Sequence, residues 1–122
     1  MRKLLILLLL PISALGADAT ASWTHPTQYE DGTPLPLTGI RETRVQYGSC
    51  TTATPPAFDV AAGTVVSPAP NTSIVITGLA AGTYCFRALT VDTAGQMSVW
   101  SNVATKTIAP PKPKPPVMGV VR

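Results

Sequence analysis

The stretch TGLAAGTYCFRALTVDTAG, residues 77–95, contains the longest alternating segment of the chain. Its side chains fall into two sets of alternating parity: Tyr84, Phe86, Ala88 and Thr90 in the first, and Cys85, Arg87 and Leu89 in the second. Successive side chains of a β-strand point to opposite faces, so this pattern predicts a long strand with one face toward a core. The DTAG motif that follows is a turn signal.

The remaining segments predict an all-β sandwich. Helical periodicity is absent after residue 19, and short β-branched runs recur between Gly- and Pro-rich turns. Further strands are predicted at residues 19–23, 42–48, 73–79 and 101–108, with a short edge strand near Phe58 and Val60 and a connection over residues 63–73. The predicted core consists of Trp23, Val45, Ile74, Ile76, Leu79, Tyr84 and Phe86.

Residues 1–19 have the three parts of a secretory signal peptide. Basic residues at positions 2 and 3 precede an apolar run over residues 4–10, and the small-residue motif SALGADA follows. The alternative is a membrane anchor, but a spanning helix needs about 20 apolar residues and Pro11 interrupts this run. Cleavage after Gly16 and cleavage after Ala19 both fit. The sequence therefore predicts an exported protein, periplasmic or extracellular, that contacts a membrane only during export.

The charge distribution argues against nucleic-acid binding. Between residues 20 and 110, four basic side chains face five acidic ones, and the basic residues form no cluster. The other basic residues lie in the signal segment or in the tail, as Lys112, Lys114 and Arg122.

The chain has two cysteines, Cys50 and Cys85. Export to an oxidising compartment makes a disulfide the expected state, with two free thiols as the alternative. Together with a single histidine, His25, they fall short of the four ligands of a zinc site. We therefore predict no metal and no cofactor.

No catalytic constellation is visible in the sequence. His25 is expected to be an exposed loop residue that lacks a nucleophile partner. Glu30 and Asp31 are adjacent carboxylates, but calcium requires six to eight oxygen ligands. The sequence predicts a protein that is not an enzyme.

Three segments, ASWTHP, TRVQYG and TGLAAGTYCFRALTVDTAGQMSVWSN, together resemble a fibronectin type III domain over residues 20–108. The resemblance is to the single domains of this family in bacterial and phage proteins. It implies that Leu79 closes the bottom of the core and that the Tyr84 hydroxyl bonds to the backbone upstream. It also makes the strands that carry Cys50 and Cys85 neighbours, so the two cysteines would meet on the outer face of one sheet.

The resemblance also implies that strand A is reduced or replaced. In this family strand A precedes the tryptophan of strand B, but here the predicted signal peptide occupies that position before Trp23. A sandwich without this edge strand exposes unpaired backbone groups and part of its core.

Residues 109–122 form a tail of different composition. The alternation of proline and lysine in APPKPKPP favours an extended polyproline II spacer. The apolar residues that follow are candidates for the missing strand, either on their own domain or on a neighbouring copy: Val117, Met118, Val120 and Val121. The alternative is a frayed terminus.

These observations lead to two functional hypotheses. The first is an exported non-catalytic binding module that recognises a protein or glycan surface through its loops, with Tyr29, Glu30, Asp31, Met97 and Trp100 as candidate contacts. The second is a structural subunit of a virion or envelope, in which the C-terminal segment completes the sandwich of a neighbouring copy.

Overall fold

The computed structural model describes residues 16–122. Residues 1–15 of the predicted signal peptide lie outside the described residues. The described part contains six strands and one short 3-10 helix, Leu37–Gly39. The strands are β1 Ala17–Ser22, β2 Ile40–Cys50, β3 Phe58–Pro68, β4 Ser73–Leu79, β5 Gly82–Asp92 and β6 Ala104–Ile108. No helix in this part of the chain is long and apolar enough to cross a membrane.

The strands form two antiparallel sheets, which confirms the predicted all-β sandwich. One sheet has the order β1-β4 and the other the order β3-β2-β5-β6. Their inner faces share a core of buried residues: Ala19, Val45, Ile76, Leu79, Phe86 and Ile108. Trp23, Ile74 and Tyr84, which were also predicted to be core residues, are partly buried and pack against this cluster.

Strand β5 has the two faces that its alternation predicts. Phe86 lies in the core, and the Tyr84 hydroxyl donates a hydrogen bond of 2.8 Å to the Ala80 carbonyl, as the resemblance implied. Cys85 faces the other way and forms the predicted disulfide with Cys50, with a Cα–Cα distance of 5.3 Å. The bridge joins the end of β2 to the beginning of β5.

The connection predicted over residues 63–73 is wrong for most of its length. Strand β3 continues to Pro68 and pairs with β2 from Phe58 onward. The register shifts around Gly48, where a Cβ atom would collide with the Val60 carbonyl oxygen. The extra residues of β3 at this bulge interrupt the period of two. The sequence pattern therefore suggests a short edge strand and a separate connection where the structure has one strand.

Strand β1 begins three residues before the predicted domain boundary at residue 20. Ala17 pairs with Leu79, and Ala19 is a core residue with 3 % of its surface exposed. Residues 17–19 therefore belong to the folded sandwich.

Candidate functional site

An open groove runs along β1, between the two sheets. One wall is β1 itself, including Ala19 and Ala21, and the opposite wall is the segment from Ser101 to Lys106. The floor consists of the core residues Val45, Phe86 and Ala88. We call this space, of about 540 Å³, the β1 groove.

Backbone groups on one edge of β1 face this groove. Trp23 N donates to Thr72 O at 3.0 Å, and the register of the β1–β4 pair is regular from Ala19 to Ser22. Because backbone groups alternate sides in an antiparallel strand, Thr20 and Ser22 direct their N–H and C=O groups away from β4. Among the described residues, no strand pairs with that edge.

The inner face of β6 is uncovered at the same place. Ala104 pairs with Phe86 and Lys106 with Tyr84, so both have the parity that faces the core. They are nevertheless exposed, whereas Ile108, of the same parity, is buried. The core is closed near the end of β6 and open beside its beginning.

Two buried polar atoms of groove-lining residues have no hydrogen-bond partner. They are Thr43 Oγ1 and Trp23 Nε1. Thr43 has only 2 % of its surface exposed, and burial of an unpaired hydroxyl is unfavourable. The groove wall therefore contains polar groups that the described residues leave unsatisfied.

A second concavity, of about 820 Å³, lies between the loop after β1 and the turn after β5; we call it the loop cleft. It brings together four of the five predicted loop contacts: Tyr29, Glu30, Asp31 and Met97. Met97 is 61 % exposed and is the most accessible large apolar side chain among these four.

A hydrogen bond between Tyr29 and Asp92 fixes the two sides of the loop cleft. The Tyr29 hydroxyl donates to Asp92 Oδ2 at 3.0 Å, while Asp92 Oδ1 accepts from the backbone N–H groups of Gln96 and Ala94. The bond from Gln96, together with those from Tyr29 and Ala94, lowers the pKa of Asp92 against the opposing effect of its desolvation. The bond to Asp92 raises the pKa of Tyr29. The hydrogen bonds of the Tyr29 hydroxyl and the Asp92 carboxylate therefore stabilise the loop after β1 and the turn after β5.

Asp31 also stabilises its own turn. Its Oδ1 accepts hydrogen bonds from the backbone N–H and the hydroxyl of Thr33, at 3.0 and 2.7 Å. These bonds lower the pKa of Asp31. Glu30 is exposed beside it and is free of such bonds among the described residues.

Trp100, the fifth predicted contact, lies outside the loop cleft. Its ring packs on the Arg87 guanidinium at 4.4 Å, and the Phe58 ring covers the same guanidinium at 4.1 Å. Arg87 Nε and Nη2 both donate to Gln46 Oε1. This stack covers the outer face of the larger sheet. It joins residues distant in sequence, and no local pattern indicates it.

The predicted donor residues are exposed and unpaired within residues 16–122. Val117, Met118, Val120 and Val121 have between 76 and 96 % of their surface exposed, and no strand is formed after Ile108. His25 is half-buried rather than exposed, and its Nε2 lies 3.2 Å from the Pro70 carbonyl oxygen.

No group of three or more His, Cys, Asp or Glu side chains that could hold a metal occurs in residues 16–122. The candidate sites in the described part of the chain are the open edge of β1 and the loop cleft. No family model, curated protein or solved structure matches the chain.

Proposed function

We propose that this chain is an exported, non-catalytic binding module that takes up an extended peptide as an additional strand on the open edge of β1. The observation that carries the proposal is the β1 groove, where the free backbone groups of Thr20 and Ser22 lie beside an apolar floor. In strand addition, backbone hydrogen bonds provide affinity and pockets for alternate side chains provide selectivity.

The groove suits an extended peptide with apolar residues at alternate positions. Ala19 and Ala21 are small, so side chains from an added strand can enter the groove beside Phe86 and Ala88.

Export is supported by the Cys50–Cys85 disulfide, because such bonds persist in oxidising compartments. Residues 1–16 serve as the signal peptide in this proposal, and the final location is the periplasm or the cell exterior. The order of strands in the two sheets and the Tyr84 hydrogen bond support a fibronectin type III-like domain with strand A replaced.

The second candidate function is recognition of a protein surface through the loop cleft. The specific observation in its favour is the Tyr29–Asp92 hydrogen bond, which holds both loops before any partner arrives. A pre-organised surface binds with a lower entropic cost. Met97 would be its central apolar contact.

One selection experiment separates the two candidates. Random peptides displayed on phage are selected against the full chain, immobilised at a density too low for copies to meet. The selected peptides are then tested on Thr20→Pro, Val75→Pro and Met97→Asp. Val75 is the matched control because it lies opposite Thr20 and its N–H points to the other edge of the same sheet.

Strand addition predicts peptides with alternating apolar residues that lose binding to Thr20→Pro and keep it with Val75→Pro and Met97→Asp. Peptides that lose binding only to Met97→Asp would support the loop cleft instead. Peptides that bind all three variants equally would contradict both candidates. Circular dichroism of each variant checks that the sandwich remains folded.

A further inference from the structure

The C-terminal segment has the chemistry that the β1 groove requires. Residues 117–121, VMGVV, are apolar and rich in valine, a residue that favours strands, and the four large apolar side chains are exposed in the structure. Exposed contiguous apolar residues commonly mark an interaction site. Within residues 16–122, no contact with the sandwich covers them.

The spacer before this segment directs it away from its own domain. Residues 109–116 contain five prolines, and eight residues in polyproline II geometry span about 25 Å at about 3.1 Å per residue. The spacer leaves Ile108, which pairs with Gly82, and the Ala17–Leu79 pair lies at the same end of the sandwich. To reach its own β1 edge, the chain would have to reverse direction within this semi-rigid stretch.

The net charge of the tail is opposite to that of the sandwich, although the two charged residues that line the β1 groove itself, Arg87 and Lys106, are also basic. All three charged residues of the tail are basic: Lys112, Lys114 and Arg122. Residues 16–108 carry six acidic and four basic side chains, so the sandwich has a net negative charge. Opposite net charges accelerate association, and salt weakens this effect.

We propose that residues 117–121 of one copy add as a strand to the open β1 edge of a second copy, an inference that rests on the proposed strand addition. The contact joins two different surfaces, so each copy still offers a free tail or a free edge. Such head-to-tail contacts form closed rings or open chains. The protein is then a self-assembling subunit whose spacer sets the distance between neighbouring sandwiches.

The alternation of a strand provides a specific signature. In an added strand, either Val117 and Val121 or Met118 and Val120 face the groove, and the other pair faces solvent. Two double variants test this alternation: Val117→Asp with Val121→Asp, and Met118→Asp with Val120→Asp. We expect one double variant to lower the association constant at least about tenfold more than the other, because its carboxylates face the apolar part of the groove. Equal losses would indicate nonspecific association and overturn the proposal.

A mixing experiment tests the two halves of the contact. Native mass spectra are recorded for the exported full chain, for the acceptor variant Thr20→Pro and for the more defective tail variant. We expect multimers of the unaltered chain, monomers of each variant alone, and a one-to-one dimer when the variants are mixed. The dimer forms because the acceptor variant retains a tail and the tail variant retains an edge. Val75→Pro should form multimers like the unaltered chain.

Ser22→Pro replaces Thr20→Pro if the latter does not fold, because both N–H groups point to the same edge. Monomers of the unaltered chain at every concentration, or no dimer in the mixture, would overturn the proposal. If displayed peptides still bind at the edge in that case, strand addition stands and only the tail is excluded as its occupant. If peptide binding at the edge is also absent, the proposed function fails as well.

Discussion

Replacement of Thr43 by valine is expected to stabilise the sandwich. Thr43 is 2 % exposed, and its Oγ1 has no hydrogen-bond partner. The residues opposite it on the neighbouring strands are Ser67 and Thr90, and neither bonds to that hydroxyl. Burial of an unpaired hydroxyl costs about 1–3 kcal/mol, and valine has nearly the same shape and a stiff β-branched side chain.

We therefore expect Thr43→Val to raise the free energy of unfolding by about 1–2 kcal/mol. For a domain of this size the midpoint of thermal unfolding should rise by about 4–8 °C per kcal/mol. The assay is urea unfolding monitored by tryptophan fluorescence with the disulfide intact. Thr105→Val is the matched control, because Thr105 is exposed on β6 and its replacement should change stability by less than about 0.5 kcal/mol. An unchanged or lower urea midpoint for Thr43→Val would show that the unpaired hydroxyl does not destabilise the sandwich.

Three further predictions concern the disulfide, the loops and the N-terminus. Reduction of the Cys50–Cys85 bridge, which closes a separation of 35 residues, should lower the free energy of unfolding by about 4 kcal/mol in urea titrations with and without reductant; an unchanged midpoint would contradict this. The pKa of Asp92 is lowered by its bonds from Gln96, Tyr29 and Ala94, so its contribution to stability is full above the ordinary pKa of an aspartate and is lost as pH falls through the lowered value. The stability difference between the unaltered chain and Asp92→Asn should accordingly shrink on acidification, and a constant difference would argue against this role. Intact mass of the exported protein should show Ala17 as its first residue, because cleavage after Ala19 would remove three residues of β1, and a first residue of Thr20 would show that β1 begins later.

The sequence was sufficient to predict the sandwich because its strands alternate clearly. The parity of β5 placed Phe86 in the core and Cys85 on the other face, and two cysteines in a chain predicted to be exported left one disulfide as the expected bridge. Strand β3 was split because the bulge at Gly48 is a property of strand pairing, and a period of two cannot reveal it.

The candidate sites were predictable only in part. Loop residues such as Tyr29 and Met97 were recognised by type and meet in the loop cleft, but the role of Asp92 in holding Tyr29 depends on a contact across 63 residues. Trp100 is predicted to belong with these loop residues, but it stacks on Arg87 of β5, a contact that only the three-dimensional structure reveals. The opening beside β1 was predicted from the resemblance, whereas the exposed inner face of β6 required the structure.

The most direct test of strand addition at β1 is amide hydrogen exchange, resolved by residue with NMR. A synthetic peptide of residues 113–122, PKPPVMGVVR, is added to the more defective tail variant, whose β1 edge is free before the peptide arrives, and exchange is followed at Thr20, Ser22 and Val75. We expect the Thr20 and Ser22 amides to become protected as peptide is added, while exchange of the Val75 amide, on the opposite edge of the same sheet, is unchanged. Exchange at Thr20 and Ser22 that stays the same at saturating peptide would contradict strand addition at β1.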